Sequence, residues 1–304
     1  FAMILVLTGP TGSGKSKLAV SLAKKMNGAV VNADAYQVYQ GLNIATAKPS
    51  ESMRLEVPHY LFDFVPLSSD YNVVEYQADL RGEISELEGA GKTIIIAGGT
   101  GLYLKAGLYD YEFPEERQID LSSYETLDNK SLYQKALELD EASAKEIHPN
   151  NRRRVLRLIQ YCLATGSKRS SVNACQTHKP LYDVRFYGLE VERERLYPLV
   201  EERVEEMFAS GIEEENRTLV DRYGRSCHAF QAIGVKEFFP YWDGQANLEE
   251  TKELIKKNTR HYVKKQMTWF RHQFPIRWIK GEEDLLADLI SQDGLLSSPK
   301  NKDN

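Results

Sequence analysis

The sequence is poor in cysteine and has no long apolar run. Three cysteines occur in 304 residues, Cys162, Cys175 and Cys227, and none sits in a C-x-x-C pair. The odd count and the missing pair argue against a disulfide framework. No zinc-ligand cluster is present, so no structural metal is expected. Reduced thiols point to the cytoplasm. No apolar stretch approaches the roughly 20 residues a spanning helix needs, so no membrane partner is expected. The opening FAMILVLTG lacks a basic n-region and a small-residue cleavage site, and reads as a first strand rather than a signal peptide. Internal repeats are also absent.

Acidic residues are missing from two segments, although the net charge is −5. Residues 147–182 hold no acid but contain Arg152, Arg153, Arg154, Arg157, Lys168, Arg169 and Lys179. Residues 254–280 hold none either, against Lys256, Lys257, Arg260, Lys264, Lys265, Arg271, Arg277 and Lys280. Segregated charge of this kind makes local positive fields on an acidic protein. The basic residues of the second segment are expected to face phosphates. Its aromatics Trp269 and Phe270 are expected in the core.

What is present is a globular composition, 42% hydrophobic and 27% charged, in a chain long enough for about two domains. Apolar runs at 3–8, 29–33 and 93–97 read as buried parallel strands, with a shorter third strand at 59–65. Helices are expected at 15–26 and 73–89 and from about Thr100. The stretch 111–178 has no convincing strand and predicts two or three helices, clearest at 131–139 and 152–164. Strands return at 185–191 and 275–279, separated by helices at 194–209, 213–223 and 248–273. Alternation of strand and helix implies a parallel sheet with right-handed crossovers. The expected fold is therefore α/β: a P-loop NTPase-like parallel sheet flanked by helices, with a mostly helical insertion and a helical C-terminal part. The expected boundaries are 1–110 with 183–296 for the core and 111–182 for the insertion, before a disordered tail at 297–304.

Gly9, Pro10, Thr11, Gly12, Ser13, Gly14, Lys15 and Ser16 match G-x-x-x-x-G-K-[ST] without a mismatch. A strand precedes the loop and a helix follows it, which is the context the motif needs. The glycines let backbone N–H groups turn toward an anion, and the helix N-terminus adds partial positive charge. Lys15 supplies a full charge, and Ser16 is placed to ligate Mg²⁺. Nucleotide chemistry would require a carboxylate closing a buried strand. The best strand ends instead in Gly98, Gly99 and Thr100. No arginine-rich lid stands out. Both absences lead away from an ordinary kinase.

Asp34 closes the second strand, and in a parallel sheet that end opens on the same crevice as the phosphate loop. It has three readings: a water-mediated Mg²⁺ ligand, a general base, or a cap for the next helix. His59 and His148 compete for the base, but in Val-Pro-His and Ile-His-Pro contexts they read as structural.

The phosphate loop, the stretch from Asp34 to Tyr39, GLNIATAKP at 41–49 and GGTGLY at 98–103 resemble the bacterial tRNA dimethylallyltransferases. So do HPNNRRRVLR at 148–157, QAIGVKE at 231–237 and TRHYVKKQMTWFR at 259–271. The family usually has Ser, Gly and Tyr where this chain has Ala35, Ala45 and Val235; none of these departures removes a charge. The resemblance implies transfer of a dimethylallyl group from dimethylallyl diphosphate to the exocyclic N6 of adenosine at tRNA position 37. It makes Asp34 the base and sets Thr100 and Arg203 beside the diphosphate. From its sequence context alone, Arg203 reads as one partner in a Glu-rich helix. The resemblance further implies that tRNA meets Asp34, Ala35, Tyr36, Gln37 and Thr100, and the run Arg153, Arg154, Val155, Leu156 and Arg157. The partners are then the tRNA anticodon stem-loop and dimethylallyl diphosphate, and the cofactor Mg²⁺; the sequence leaves the oligomeric state open, with a monomer as one reading. A P-loop kinase of a small metabolite is the alternative, and an adenine-nucleotide prenyltransferase is another. The acid-free segments disfavour the latter, because a free nucleotide needs no extended positive surface.

Overall fold

A computed structural model describes residues 3–175 and 179–293. Phe1, Ala2 and the tail at 297–304 lie outside them, so the expectation of a disordered tail does too. Six strands form one all-parallel sheet: β1 (Ile4–Thr8), β2 (Gly28–Asn32), β3 (His59–Tyr60), β4 (Thr93–Ala97), β5 (Val184–Leu189) and β6 (Ile276–Ile279). Their order is β3-β2-β4-β1-β5-β6. β1, β2 and the last four residues of β4 are buried throughout, as a sheet covered by helices on both faces requires.

Local chemistry explains where several helices begin. Asn72 starts the Val73–Gly89 helix with a full capping box, its side chain accepting from Glu75 N while Glu75 reaches back to Asn72 N. Asn247 caps the 26-residue Leu248–Gln273 helix by accepting from Glu250 N. The Lys15–Lys25 helix begins differently: its cap is Gly14, left-handed at φ 88°, with no side-chain partner. Its first N–H groups are thus left for something other than protein.

The expected third strand at 59–65 is corrected to two residues. Leu61 (φ 63°) and Asp63 (φ 55°) turn left-handed, which breaks the ladder, and Val65 makes only an isolated bridge to Tyr39. Outside the insertion, four described elements escape the sequence reading: helices Glu51–Glu56, Phe238–Trp242 and Glu282–Asp293, and the 3₁₀ turn His228–Gln231.

The chain separates into two compact units, Phe1–Leu108 with Tyr182–Asn304, and Tyr109–Leu181. The second holds five helices among the described residues rather than two or three: Ser122–Glu125, Asn129–Leu139, Glu141–Lys145, Arg152–Thr165 and Arg169–Cys175. The extra ones are four to seven residues long, which leaves little periodicity to read. Val155, Leu158, Ile159 and Cys162 form the buried face of the Arg152–Thr165 helix, and Leu156 packs against the same core. Val155 and Leu156 therefore belong to the packing of this unit, while Arg153, Arg154 and Arg157 are exposed. Arg157 lies 3.4 Å from Glu116. Asp140 fastens the Arg169–Cys175 helix by accepting from Ser170 N and Oγ at 2.9 and 2.6 Å.

The basic segment at 254–280 is also corrected in part. Lys256 pairs with Glu205, Arg260 with Glu201, and Arg277 with Asp288. These charges face acids of the Arg193–Ala209 and Glu282–Asp293 helices, which the local sequence gives no hint of. Lys257, Lys264 and Lys265 remain exposed. Phe270 is buried and Trp269 partly so, as expected of core aromatics.

Candidate active site

β1, β2 and β4 deliver their C-terminal ends to one place. Gly98 N donates to Leu7 O, and Ala33 N to Ala97 O, which ties the turn after each strand to its neighbour. A Cβ on Gly98 would overlap the Ala33 carbonyl, so only glycine lets β4 pass this close to the residue before Asp34. Gly98→Ala is expected to lower unfolding free energy by about 1–3 kcal/mol, as overpacking does, and to lower activity with it. Chemical denaturation with a parallel rate measurement checks this; unchanged values of both would mean that the turn has slack.

Asp34 is held from several sides. Its N–H donates to Asn32 Oδ1 at 2.8 Å, and its carbonyl accepts from Asn32 Nδ2 at 2.9 Å. Asn32 is fully buried and gives its remaining amide hydrogen to Leu61 O. The Asp34 carboxylate accepts through Oδ1 from Tyr36 N at 2.8 Å and Gln37 N at 3.2 Å. The expected helix cap is thus corrected: the next helix begins only at Glu51, and Asp34 caps a turn instead, which occupies one oxygen only. Burial raises the carboxyl above its ordinary range, against the two backbone N–H groups and Lys15, which lower it. Burial likewise lowers the Lys15 ammonium, against the pull of Asp34. A carboxylate and an ammonium share a poorly hydrated space.

That space is a cleft of about 400 Å³. Pro10, Thr11, Gly12, Gly14, Lys15 and Ser16 line it from the loop, Asp34 and Gln37 from the end of β2, and Arg203 from the Arg193–Ala209 helix. The loop closes through Ser13 N to Pro10 O at 3.1 Å, and Gly12 (φ 83°) has the backbone only glycine adopts easily. Lys15 Nζ rests 3.4 Å from Gly9 O. Ser13 Oγ is buried without a partner. Arg203 pairs with Glu206 at 2.9 Å, as its sequence context suggests, and also lines the cleft. Thr100 is absent from this lining. Its Oγ1 accepts from Ala35 N at 2.9 Å and its N–H donates to Ala33 O.

Two residues of the site carried no role in the sequence reading. Lys48 lines the cleft with its side chain wholly buried, donating to Tyr39 O at 2.6 Å and Asp63 Oδ1 at 2.7 Å. Asn32 positions Asp34. Neither has a signal beyond its place near a recognised stretch, because both act through contacts distant in sequence. Among the described residues, no three or more His, Cys, Asp or Glu side chains gather as a metal cage. Mg²⁺ does not need one: it takes one or two protein groups plus phosphate oxygens and water. The Ser16 hydroxyl and the Asp34 carboxylate, both in the cleft, fit that requirement.

Comparison with known proteins gives one family. The family model described as IPP transferase matches residues 37–273. The tRNA dimethylallyltransferase of Anoxybacillus flavithermus is 40% identical over 287 residues, covering 94% of this chain and 92% of that protein. That of Geobacillus kaustophilus is 41% identical over 281 residues, covering 90% and 89%. The crystal structure of the tRNA isopentenylpyrophosphate transferase of Staphylococcus epidermidis superposes with a TM-score of 0.72 at 36% identity, over 96% of this chain and 98% of that one. A eukaryotic dimethylallyltransferase described as acting on tRNA superposes with a TM-score of 0.81 at 28% identity, over 97% of this chain and 77% of that one. The phosphate loop and Asp34 thus share one cleft in a sheet found in relatives of nearly equal length, and the chain belongs to the IPP transferase family.

Proposed function

We propose that this chain transfers a dimethylallyl group from dimethylallyl diphosphate to N6 of adenosine at position 37 in the anticodon loop of tRNA. One observation supports this above the rest: the anion-binding loop and the carboxylate of Asp34 line a single cleft. The reaction breaks an allylic C–O bond and forms a C–N bond, so negative charge grows on the departing diphosphate. The loop N–H groups, Lys15 and Arg203 meet that charge. Mg²⁺ on Ser16 would add further positive charge to the diphosphate. The amine of adenine becomes acidic only as the C–N bond forms, and the free oxygen of Asp34 takes its proton. Gln37 donates through Nε2 to Thr46 O at 2.9 Å, which leaves Oε1 to accept from that amine.

A base in an anticodon loop must leave its stack to enter such a cleft. Phosphate contacts then hold the rest of the loop. Arg153 and Arg154 stand exposed on the helical unit, opposite its buried face. Arg154→Ala is expected to weaken tRNA binding and to reduce the slope of log K against log salt by about 1. Titration at three salt concentrations reads this; an unchanged slope removes Arg154 from the phosphate contacts. The function itself is tested with labelled dimethylallyl diphosphate, Mg²⁺ and unmodified tRNA. Label in tRNA supports it. Label in AMP alone favours a free-nucleotide substrate, and ATP consumption with no label transferred favours a kinase.

A further inference from the structure

Tyr262 lies on the Leu248–Gln273 helix and has no role in the chemistry above. Its helix is docked on the turn after β4 through residues spaced by single turns. Gln266 donates Nε2 to Gly99 O, and Trp269 covers Gly101, where any Cβ would collide with its ring. Tyr262, one turn before Gln266, lies on the same face. Its hydroxyl is buried near Thr100, whose Oγ1 accepts from Ala35 N, and near Asp34. Burial of the hydroxyl raises its pKa, and the neighbouring Asp34 and Tyr36 raise it further, so it stays neutral as a hydrogen-bonding group.

The ring is in a different situation from the hydroxyl. Tyr262 is 44% exposed, among the most exposed aromatic side chains of the described residues. Aromatics at the end of this helix pack on one another, Trp269 and Phe270 with each other and both with Phe274 just beyond it. Among the described residues, Tyr262 has no ring partner. A large apolar face left bare while its tip is buried is a poor use of a tyrosine in a core and a good one for stacking. A ring held by a buried tip also loses little freedom when a base lands on it.

We propose that Tyr262 is the stacking platform for the everted purine, its helix face set against the Gly99–Gly101 turn and its exposed ring standing beside the cleft that holds Asp34. This rests on the reading of an adenine as acceptor. It adds the element that holds the base flat while Asp34 receives the proton. Planar stacking on an aromatic is tolerant of which base arrives, so Tyr262 serves orientation and Gln37 serves identity.

The test uses an unmodified anticodon stem-loop and a second one with 2-aminopurine at the target position. Tyr262→Leu is expected to lower kcat/KM for the RNA by about 10- to 100-fold, and Tyr262→Phe, which keeps the ring, by less than about fivefold. Bound 2-aminopurine should be quenched by the wild type and by Tyr262→Phe, and brighter in Tyr262→Leu. Thermal melting and dimethylallyl diphosphate binding of each variant check that the fold and the anion site survive. Equal losses in the Phe and Leu variants would overturn the proposal in favour of a hydroxyl role. A Leu variant with wild-type rate and quenching would overturn it outright. If the wild-type protein places no label in RNA at all, the functional reading has failed rather than this addition to it.

Discussion

Asp34→Asn is expected to reduce transfer by about 10²–10⁴-fold, the range a positioned general base contributes. Asparagine is the informative substitution. Its side-chain oxygen still accepts from Tyr36 N and Gln37 N, so the turn after β2 should persist. What is lost is the proton acceptor on the remaining oxygen and the charge that Lys15 faces. Affinity for tRNA should change little, because a single neutralised group deep in the cleft removes none of the exposed arginines. Single-turnover rates at saturating substrates, with RNA binding measured separately, check both halves. Near-normal turnover would remove Asp34 from the chemistry. A lost rate with equally lost tRNA affinity would place it in binding.

Lys15→Ala is expected to lower kcat/KM for dimethylallyl diphosphate by about 10²–10³-fold, the scale of removing one preorganised donor from a developing anion. The ammonium is half-buried, and burial already disfavours its charge. A diphosphate supplies the compensation that the protein alone provides only through Asp34 and the Gly9 carbonyl. The same change should leave tRNA affinity intact. Titration of dimethylallyl diphosphate and of tRNA in parallel separates the two; an equal loss for both would mean that the loop supports the fold generally rather than an anion specifically.

How much of this was legible in the sequence depends on how local the cause is. The helices at 73–89 and 248–273 and the strand at 93–97 agree with the structure residue for residue, because capping asparagines and a pure apolar run mark their limits. The phosphate loop is legible for the same reason: its physics is contained in eight consecutive residues. The short β3 is not, since left-handed Leu61 and Asp63 serve tertiary contacts of Asp63 with Lys48 and Gly41. The sheet order is not either, because β1 lies between β4 and β5, far from both in sequence. Arg203 is ambiguous by local pattern and resolves only when the cleft is seen. The pairing of Lys256, Arg260 and Arg277 with acids on other helices shows how a positive sequence segment can be partly neutral in space.

The pH dependence of kcat/KM, in the wild type and in the residual activity of Asp34→Asn, bears most directly on the shared cleft. The base must be ionised to work, and burial raises Asp34 above the ordinary carboxyl value of 3.8. The wild-type rate should therefore be flat above that raised pKa and fall about tenfold per pH unit below it. Lys15 must stay protonated, and burial lowers it from 10.5, so an alkaline limb should begin below that value. In Asp34→Asn the acid limb should vanish while an alkaline limb remains. An acid limb of the same shape in both proteins would mean that the proton goes elsewhere, and that the carboxylate beside the phosphate loop is not the group that completes the reaction.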